Sequence, residues 1–182
     1  MRYFFSKRVP PFTRLLMVES GSRYLLDNLL PDLPGIHGDH LQVDLVTCFA
    51  GLPEGFRPDH GTVYRVAAYP GRANRKRLYR ELRANRYTVL GILCSGEPIM
   101  TKWKWTLALR IPAKVFILNE NGDYFWLDRG QLSEIRQFVL FRAGLAGAGA
   151  VRTLARFAAF PFSLLYLLLY AAAVHLRRKA RT

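Results

Sequence analysis

The chain has 182 residues, with 27 Lys and Arg against 13 Asp and Glu, and a formal net charge of +14. This length accommodates one domain with a hydrophobic core and an appended segment, and the charge favours an anionic partner, either a nucleic acid or an anionic membrane surface. The two cysteines, Cys48 and Cys94, exclude a disulfide scaffold and show no metal-ligand spacing, so no metal is expected. Because each lies in an apolar, strand-like run, both are predicted to be buried free thiols in a reducing compartment. No Walker or dinucleotide glycine fingerprint is present, and no cofactor is expected.

Residues 1–13 are basic and aromatic and end at a Pro-Pro pair. They lack the continuous apolar region and the small-residue cleavage site of a signal peptide. Two interpretations stay open for this arm. It is either a flexible segment that touches a membrane interface, where aromatic and cationic side chains are both favoured, or a disordered start of the chain.

Apolar runs alternate with helical patterns over residues 14–130. Strands are predicted at 14–20, 42–49 and 62–69, and two further apolar runs begin at Thr88 and Lys114 with a helical segment between them. A helix over 23–33 is predicted to end at the prolines 31 and 34. The alternation predicts an α/β fold with an open, mostly parallel, Rossmann-like sheet of about five strands.

Residues 72–86 predict a strongly basic helix with a narrow apolar stripe formed by Leu78 and Leu82. Three interpretations of its charged side remain, in decreasing order of preference. The basic side chains are solvated, or they contact an anionic membrane surface, or they contact nucleic acid. The last is least favoured because no signature of a nucleic-acid-binding fold is present.

The C-terminal part predicts a membrane anchor. Residues 131–156 form an amphipathic helix and a linker rich in small residues, 157–176 form a hydrophobic helix of twenty residues without Asp, Glu, Lys or Arg, and 177–182 form a basic tail. Twenty helical residues span roughly 30 Å, the thickness of a hydrocarbon core. The side chains expected to meet the membrane or its interface are Phe157, Phe160, Phe162, Tyr166, Tyr170, Arg177, Arg178, Lys179 and Arg181.

The topology of this anchor stays open. The α/β domain is expected on the cytoplasmic side, and a spanning helix then places the basic tail outside, against the positive-inside tendency. The helix either spans the bilayer or lies in the interface with a bend at Pro161.

Three loops are expected to meet at the carboxyl edge of the sheet, where open α/β folds bind ligands. Glu97 and Glu120 are the candidate general bases, although Glu97 is alternatively a helix cap and Asp123 part of a turn. The candidate ligand-binding residues are Glu19, Ser20, Gly21, Ser22, Arg23, Ser95, Gly96, Glu97, Lys102, Asn119, Glu120, Asn121 and Asp123.

The order of the segments RLLMVES, QVDLVTCF, TVYRVAAY, NRYTVLGILCSGE and RIPAKVFILNEN resembles the N-terminal half of GT-B glycosyltransferases, especially heptosyltransferase-like enzymes. The resemblance covers about residues 14–125. It implies a half-domain that binds a glycan or lipid-linked acceptor, with another subunit supplying the nucleotide-sugar site, because a membrane helix stands in place of the second domain. The family's first loop carries a Gly-x-x-Gly-Asp pattern, which Ser20-Gly21-Ser22-Arg23 lacks, so this chain holds no complete catalytic set. The alternative is a non-catalytic scaffold that docks on anionic lipid and recruits partner proteins.

Overall fold

The computed structural model of the chain describes residues 3–146 and 150–179, with side chains up to residue 176. The strands in these ranges are β1 (Arg14–Glu19), β2 (Gln42–Thr47), β3 (Val63–Arg65), β4 (Val89–Cys94), β5 (Lys114–Asn119) and β6 (Tyr124–Trp126). The α-helices are α1 (Tyr24–Leu29), α2 (Leu33–His37), α3 (Gly71–Ala84), α4 (Thr101–Arg110), α5 (Leu132–Arg142) and α6 (Ala150–Lys179). Residues 1–135 and 136–182 form two separate compact units.

The strands form one open sheet in the order β3-β2-β1-β4-β5-β6. The first five are parallel, and β6 runs antiparallel to β5. The prediction of an α/β fold with an open, mostly parallel sheet is therefore confirmed, and the predicted strand–helix–strand unit is β4–α4–β5. The sheet has one strand more than the five predicted, because a tight turn returns the chain from β5 to a short edge strand.

The sheet is buried on both faces, as parallel sheets are when helices cover them. On one face α1 and α2 place leucines against alternate residues of β1 and β4, in a cluster that includes Leu15, Met17, Leu26 and Leu93. The intervening strand residues point to the opposite face, where α3 and α4 contribute fully buried leucines at 78, 82 and 107. This two-sided core holds the carboxyl ends of the strands at one edge.

Three sequence predictions differ from the structure. The helix expected over 23–33 is two short helices, and the second begins at Leu33 and contains Pro34 in its first turn, where a missing N–H has no cost. The third strand stops at Arg65 and continues as a 3₁₀ turn. Cys48 is exposed because β2 ends at Thr47, one residue before it, whereas Cys94 is buried as predicted.

The N-terminal arm is bound to the domain through the backbone carbonyls of Phe4 and Ser6, which differs from the flexible or disordered arm expected from the sequence. Lys114, fully buried at the start of β5, donates hydrogen bonds to the Ser6 carbonyl and to the Asp128 carboxylate. The Arg129 amide donates to the Phe4 carbonyl at 3.0 Å. Burial alone raises the pKa of Asp128, but the hydrogen bonds from Lys114 and from the backbone outweigh it and leave the pKa below its usual range.

Helix α6 contains the stretch Ala150–Leu176, 27 residues long, whose most apolar 18-residue window has a mean hydropathy of 2.0 and no buried residue. It is long and apolar enough to cross a membrane. The helix continues through Pro161, and the rings of Tyr166 and Tyr170 stack with centroids 6.3 Å apart. The side chains of residues 177–179, Arg181 and the linker residues 147–149 lie outside the described residues.

We expect Asp128→Asn to destabilise the α/β domain by about 3–5 kcal/mol, because it leaves the buried Lys114 ammonium without its counter-charge. Since the pKa of Asp128 is lowered in the folded state, its stabilisation is full above about pH 4 and is lost as the pH falls through the folded pKa. Urea unfolding of the full chain in detergent micelles, followed by tryptophan fluorescence, measures the effect.

The matched control is Asp39→Asn, which removes an exposed ion pair with Arg57 and is expected to cost less than about 1 kcal/mol. Equal midpoints for the two variants would show that the Lys114–Asp128 pair does not hold the arm and β5 together.

Candidate ligand-binding site

The candidate site lies where the strand order reverses, at the carboxyl ends of β1 and β4. The chain leaves β1 toward β2 on one side, and β4 pairs with β1 on the other. The loops that follow these two strands meet at this edge, which we call the crevice because it is the position at which open α/β sheets bind ligands. Two of the three predicted loops, 19–23 and 95–98, border this position.

A partly buried ion pair lies at this edge on the β1 side. Glu19 is fully buried, and its Oε1 accepts a hydrogen bond from Arg23 Nε at 2.7 Å. The Arg23 guanidinium also donates to the Gly51 carbonyl at 3.1 Å and lies 5.4 Å from the ring centroid of Phe49. The loop after β2 is thereby fixed to the end of β1, and Glu19 Oε2 has no hydrogen-bond partner among the described residues.

The two loops contact each other directly beside this ion pair. Ser20 Oγ donates to the Leu93 carbonyl at 2.8 Å, which closes the edge between β1 and β4. A Cβ on Gly21 would lie 2.8 Å from Ser95 Cβ and would overlap Ser95 Oγ, so only glycine allows the approach. Ser95 is 6% exposed, and its Oγ is buried without a hydrogen-bond partner in the described part of the chain.

Lys104 is the cation that sequence analysis missed. It is 4% exposed, and its Nζ donates to the Ser20 carbonyl at 3.3 Å. The signal for its burial was present, since Lys104 shares one helical stripe with Leu107, Ala108 and Ile111, all buried. The predicted cation of this helix, Lys102, is instead exposed on the other side of α4.

The third predicted loop is a closed hairpin turn between β5 and β6. Asn119 Oδ1 accepts hydrogen bonds from the backbone amides of Asn121 and Asp123 at 3.0 and 2.9 Å. The turn interpretation of Asp123 therefore agrees with the structure. Tyr24 of α1 donates from its hydroxyl to the Glu120 carbonyl at 2.7 Å, so this turn is held against the helix that follows β1.

The loop between β4 and α4 carries the exposed candidates, whereas Ser22, in the turn before α1, is half-buried. Gly96 and Glu97 are exposed, and the Glu97 carboxylate makes no hydrogen bond within the described residues. Glu97 does not cap α4, because the capping position is Met100, which adopts a left-handed conformation (φ 52°) and provides no side-chain bond. The first amides of α4 thus remain without a side-chain acceptor at the edge of the crevice.

The fold and this edge define a Rossmann-like α/β domain with a candidate site at its switch point. Beneath this edge lie a buried carboxylate oxygen and a buried hydroxyl that lack partners in the described chain, and an exposed carboxylate lies on the loop above them. Comparisons with protein-family models, with curated proteins and with solved structures give no match for this chain. Among the described residues, no group of His, Cys, Asp and Glu is arranged to hold a metal ion.

We expect Gly21→Ala to destabilise the domain by about 1–3 kcal/mol, because the new methyl group overpacks the contact with Ser95. Rotation of the Ser95 hydroxyl relieves only part of the clash, since the Ser95 Cβ is fixed by the backbone. Ser95→Gly removes both atoms and should restore stability in the double variant, with a coupling free energy of about 1 kcal/mol or more in a double-mutant cycle of urea unfolding. Additive effects of the two substitutions would contradict this packing.

Proposed function

We propose that this chain is a membrane-anchored, GT-B-like half-domain that binds a glycan or a lipid-linked acceptor in the crevice at the β1/β4 switch point. It acts within a glycosyltransferase complex in which another subunit supplies the nucleotide-sugar site. The observation that supports the proposal best is the pair of unpartnered buried atoms, Glu19 Oε2 and Ser95 Oγ. Sugar hydroxyls donate and accept hydrogen bonds, so they match a carboxylate oxygen and a serine hydroxyl at once.

The energetic argument for a ligand at this position follows from burial. A buried polar group without a hydrogen bond costs about 1–3 kcal/mol, and two such atoms lie at the ends of the neighbouring strands β1 and β4. Because both atoms are closed to solvent, a polar ligand recovers this cost when the loops 19–23 and 95–98 separate to admit it. The carboxylate of Glu19 keeps Arg23 on its other oxygen, so the ligand meets an oriented acceptor rather than a mobile one.

Glu97 is the carboxylate best placed to act as a base in the complex. It is exposed on the loop after β4, next to Ser95, and its carboxylate is not engaged with other described residues. In the proposed transfer the acceptor hydroxyl oxygen attacks the anomeric carbon of the donor sugar, its proton passes to Glu97, and the bond to the nucleotide diphosphate breaks. The second candidate, Glu120, lies in the hairpin turn, where its carbonyl accepts the bond from Tyr24.

The membrane part of the proposal starts from the apolar helix. Helix α6 inserts into the bilayer, and the α/β domain lies on the cytoplasmic side. Both cysteines are free thiols, as expected in a reducing compartment. Anchoring places the crevice in the same compartment as the headgroups of lipid-linked sugars.

We expect Ser95→Ala to weaken binding of methyl glycosides by about tenfold, because one hydrogen bond to the sugar is worth roughly 1–1.5 kcal/mol. Saturation-transfer NMR on the full chain in nanodiscs measures this binding. Ser133→Ala, which removes an exposed serine bonded to Glu134, is the control and should leave affinity unchanged. Equal affinities for all three proteins would argue against the crevice as the sugar site.

The transferase role predicts that Glu97→Gln retains acceptor binding and abolishes transfer when the partner subunit is present. A scaffold that only docks on anionic lipid and recruits partner proteins predicts no effect of either Ser95 or Glu97. If no transferase subunit co-purifies, and if Glu97→Ala and Glu120→Ala both leave the cell's glycans unchanged, the proposed function is wrong.

The cytoplasmic orientation predicts that Cys48 reacts with a membrane-impermeant maleimide only after cells are permeabilised, since Cys94 is buried. Cys48 is exposed, but partial desolvation of its sulfur by neighbouring atoms raises the pKa of the thiol, so the thiolate fraction is small at neutral pH and labelling accelerates as the pH rises. Cys48→Ser removes the signal and serves as the control. Labelling of intact cells would place the domain on the outer side.

A further inference from the structure

A second surface, separate from the crevice, lies on the outer side of α3 and α4. Along α3 the exposed or half-buried residues at 72, 75, 76, 79, 80 and 83 follow the spacing of one helical stripe, and all but Tyr79 are Arg or Lys. The opposite stripe of α3 carries the buried Leu78 and Leu82. The helix therefore packs with its leucines and presents a continuous row of cations.

Helix α4 completes this surface with apolar and aromatic side chains. Trp105 is 38% exposed and Leu109 is 62% exposed. The rings of Tyr79 and Trp103 meet edge to face with centroids 5.5 Å apart, and the Arg110 guanidinium lies 5.0 Å from the centroid of Tyr79. These contacts join the two helices into one groove with aromatic rings at its floor.

The α3–α4 groove consists of two neighbouring hollows that share Tyr79 and Leu109, with volumes of about 680 and 440 Å³. Among the described residues that line it there is no Asp or Glu, and none of its cations forms an ion pair with a carboxylate. The cations are Arg75, Lys76, Arg80, Arg83, Lys102 and Arg110.

We propose that the α3–α4 groove binds the anionic headgroups of a phospholipid bilayer and so holds the α/β domain against the membrane surface. Six cations that lack carboxylate partners attract phosphate and other anionic headgroup oxygens. Trp105 and Leu109, exposed beside them, are side chains that favour the boundary between headgroups and acyl chains. This binding is independent of the acceptor crevice and requires no ligand there.

Two observations favour a bilayer over a nucleic acid as the occupant. The same chain carries α6, an exposed helix long and apolar enough to cross a membrane, so an inserted chain keeps the groove at a high local concentration of lipid. The groove also exposes an aliphatic side chain, Leu109, which a phosphate backbone would not accommodate favourably. Cationic residues next to apolar ones are typical of surfaces that contact membranes.

The intrinsic tryptophans provide the test. The three tryptophans of the chain, at 103, 105 and 126, all lie in the α/β domain, and α6 has none. Quenching of their fluorescence by lipids that carry a spin label on the headgroup therefore reports contact of the domain with the bilayer. The full chain is reconstituted in nanodiscs that are either zwitterionic or contain phosphatidylserine.

We expect strong quenching in the phosphatidylserine nanodiscs, weak quenching in the zwitterionic ones, and loss of the difference at high salt. Lys76→Glu with Arg80→Glu should weaken contact with the bilayer by about 25-fold or more, since each lost Lys or Arg near such a surface is worth about fivefold. The matched control, Arg57→Glu with Arg77→Glu, makes the same change in net charge outside the groove and should retain the quenching.

Leu109→Ser reports the apolar part of the contact and leaves every tryptophan in place. It should lower the quenching in phosphatidylserine nanodiscs without changing its salt dependence. A circular dichroism spectrum identical to that of the unmodified chain confirms that each variant is folded.

Three outcomes would overturn the proposal. The first is quenching that does not depend on the charge of the groove, seen either as equal quenching in both kinds of nanodisc or as an equal loss of quenching in the groove and control variants. The second is displacement by millimolar inorganic phosphate, which would assign the groove to a free anion. The third is binding of a single-stranded oligonucleotide that the groove variant abolishes and the control retains, while quenching in phosphatidylserine nanodiscs stays weak. None of these outcomes changes the expected effect of Ser95→Ala on sugar binding. The proposals for the α3–α4 groove and for the acceptor crevice can therefore fail independently.

Discussion

The pairing of β1 with β4 is the interaction on which the rest of the structure depends. It joins two strands that are separated by 69 intervening residues, 20–88, and it places β1 in the middle of a sheet that is buried on both faces. Because such a core leaves no room for unpaired polar groups, polar side chains collect where the strands end. The bond from Ser20 to the Leu93 carbonyl and the close approach of Gly21 to Ser95 then fix how far the two loops separate.

Two lysines show how a basic protein uses charge inside as well as outside. Lys114 is fully buried and joins the start of β5 to the Asp128 carboxylate and to the N-terminal arm. Lys104 lies at the edge of the sheet and donates to the Ser20 carbonyl. Each ammonium is desolvated, and each donates to an oxygen atom of the protein in place of water. The large positive charge of the chain is therefore not only a property of its surface.

The sequence predicted the sheet well because buried parallel strands have an unambiguous pattern of continuous apolar runs. It did not predict β6, since three residues after a turn carry too little periodicity. The position of the loops at the carboxyl edge could be predicted from strand order alone. Which of their side chains are free to bind a ligand, and which are used in turns or ion pairs, could not. Whether Asp123 binds a ligand or closes a hairpin depends on the bonds to Asn119, and whether Glu19 is exposed depends on Arg23. Such pairings form in space and leave no signal in local sequence.

The run Lys102-Trp103-Lys104-Trp105 illustrates this limit most clearly. In the linear sequence these four residues form one basic and aromatic cluster. Residues two apart in a helix point in nearly opposite directions, so Lys104 enters the core while Lys102 and Trp105 stay exposed. The rigid helix α4 therefore contributes to two surfaces with different chemistry. Its inner stripe supports the crevice through Ser20, and its outer stripe forms one wall of the basic groove. Because the two stripes share a backbone and no side chain, substitutions on one can be made without removing a contact of the other.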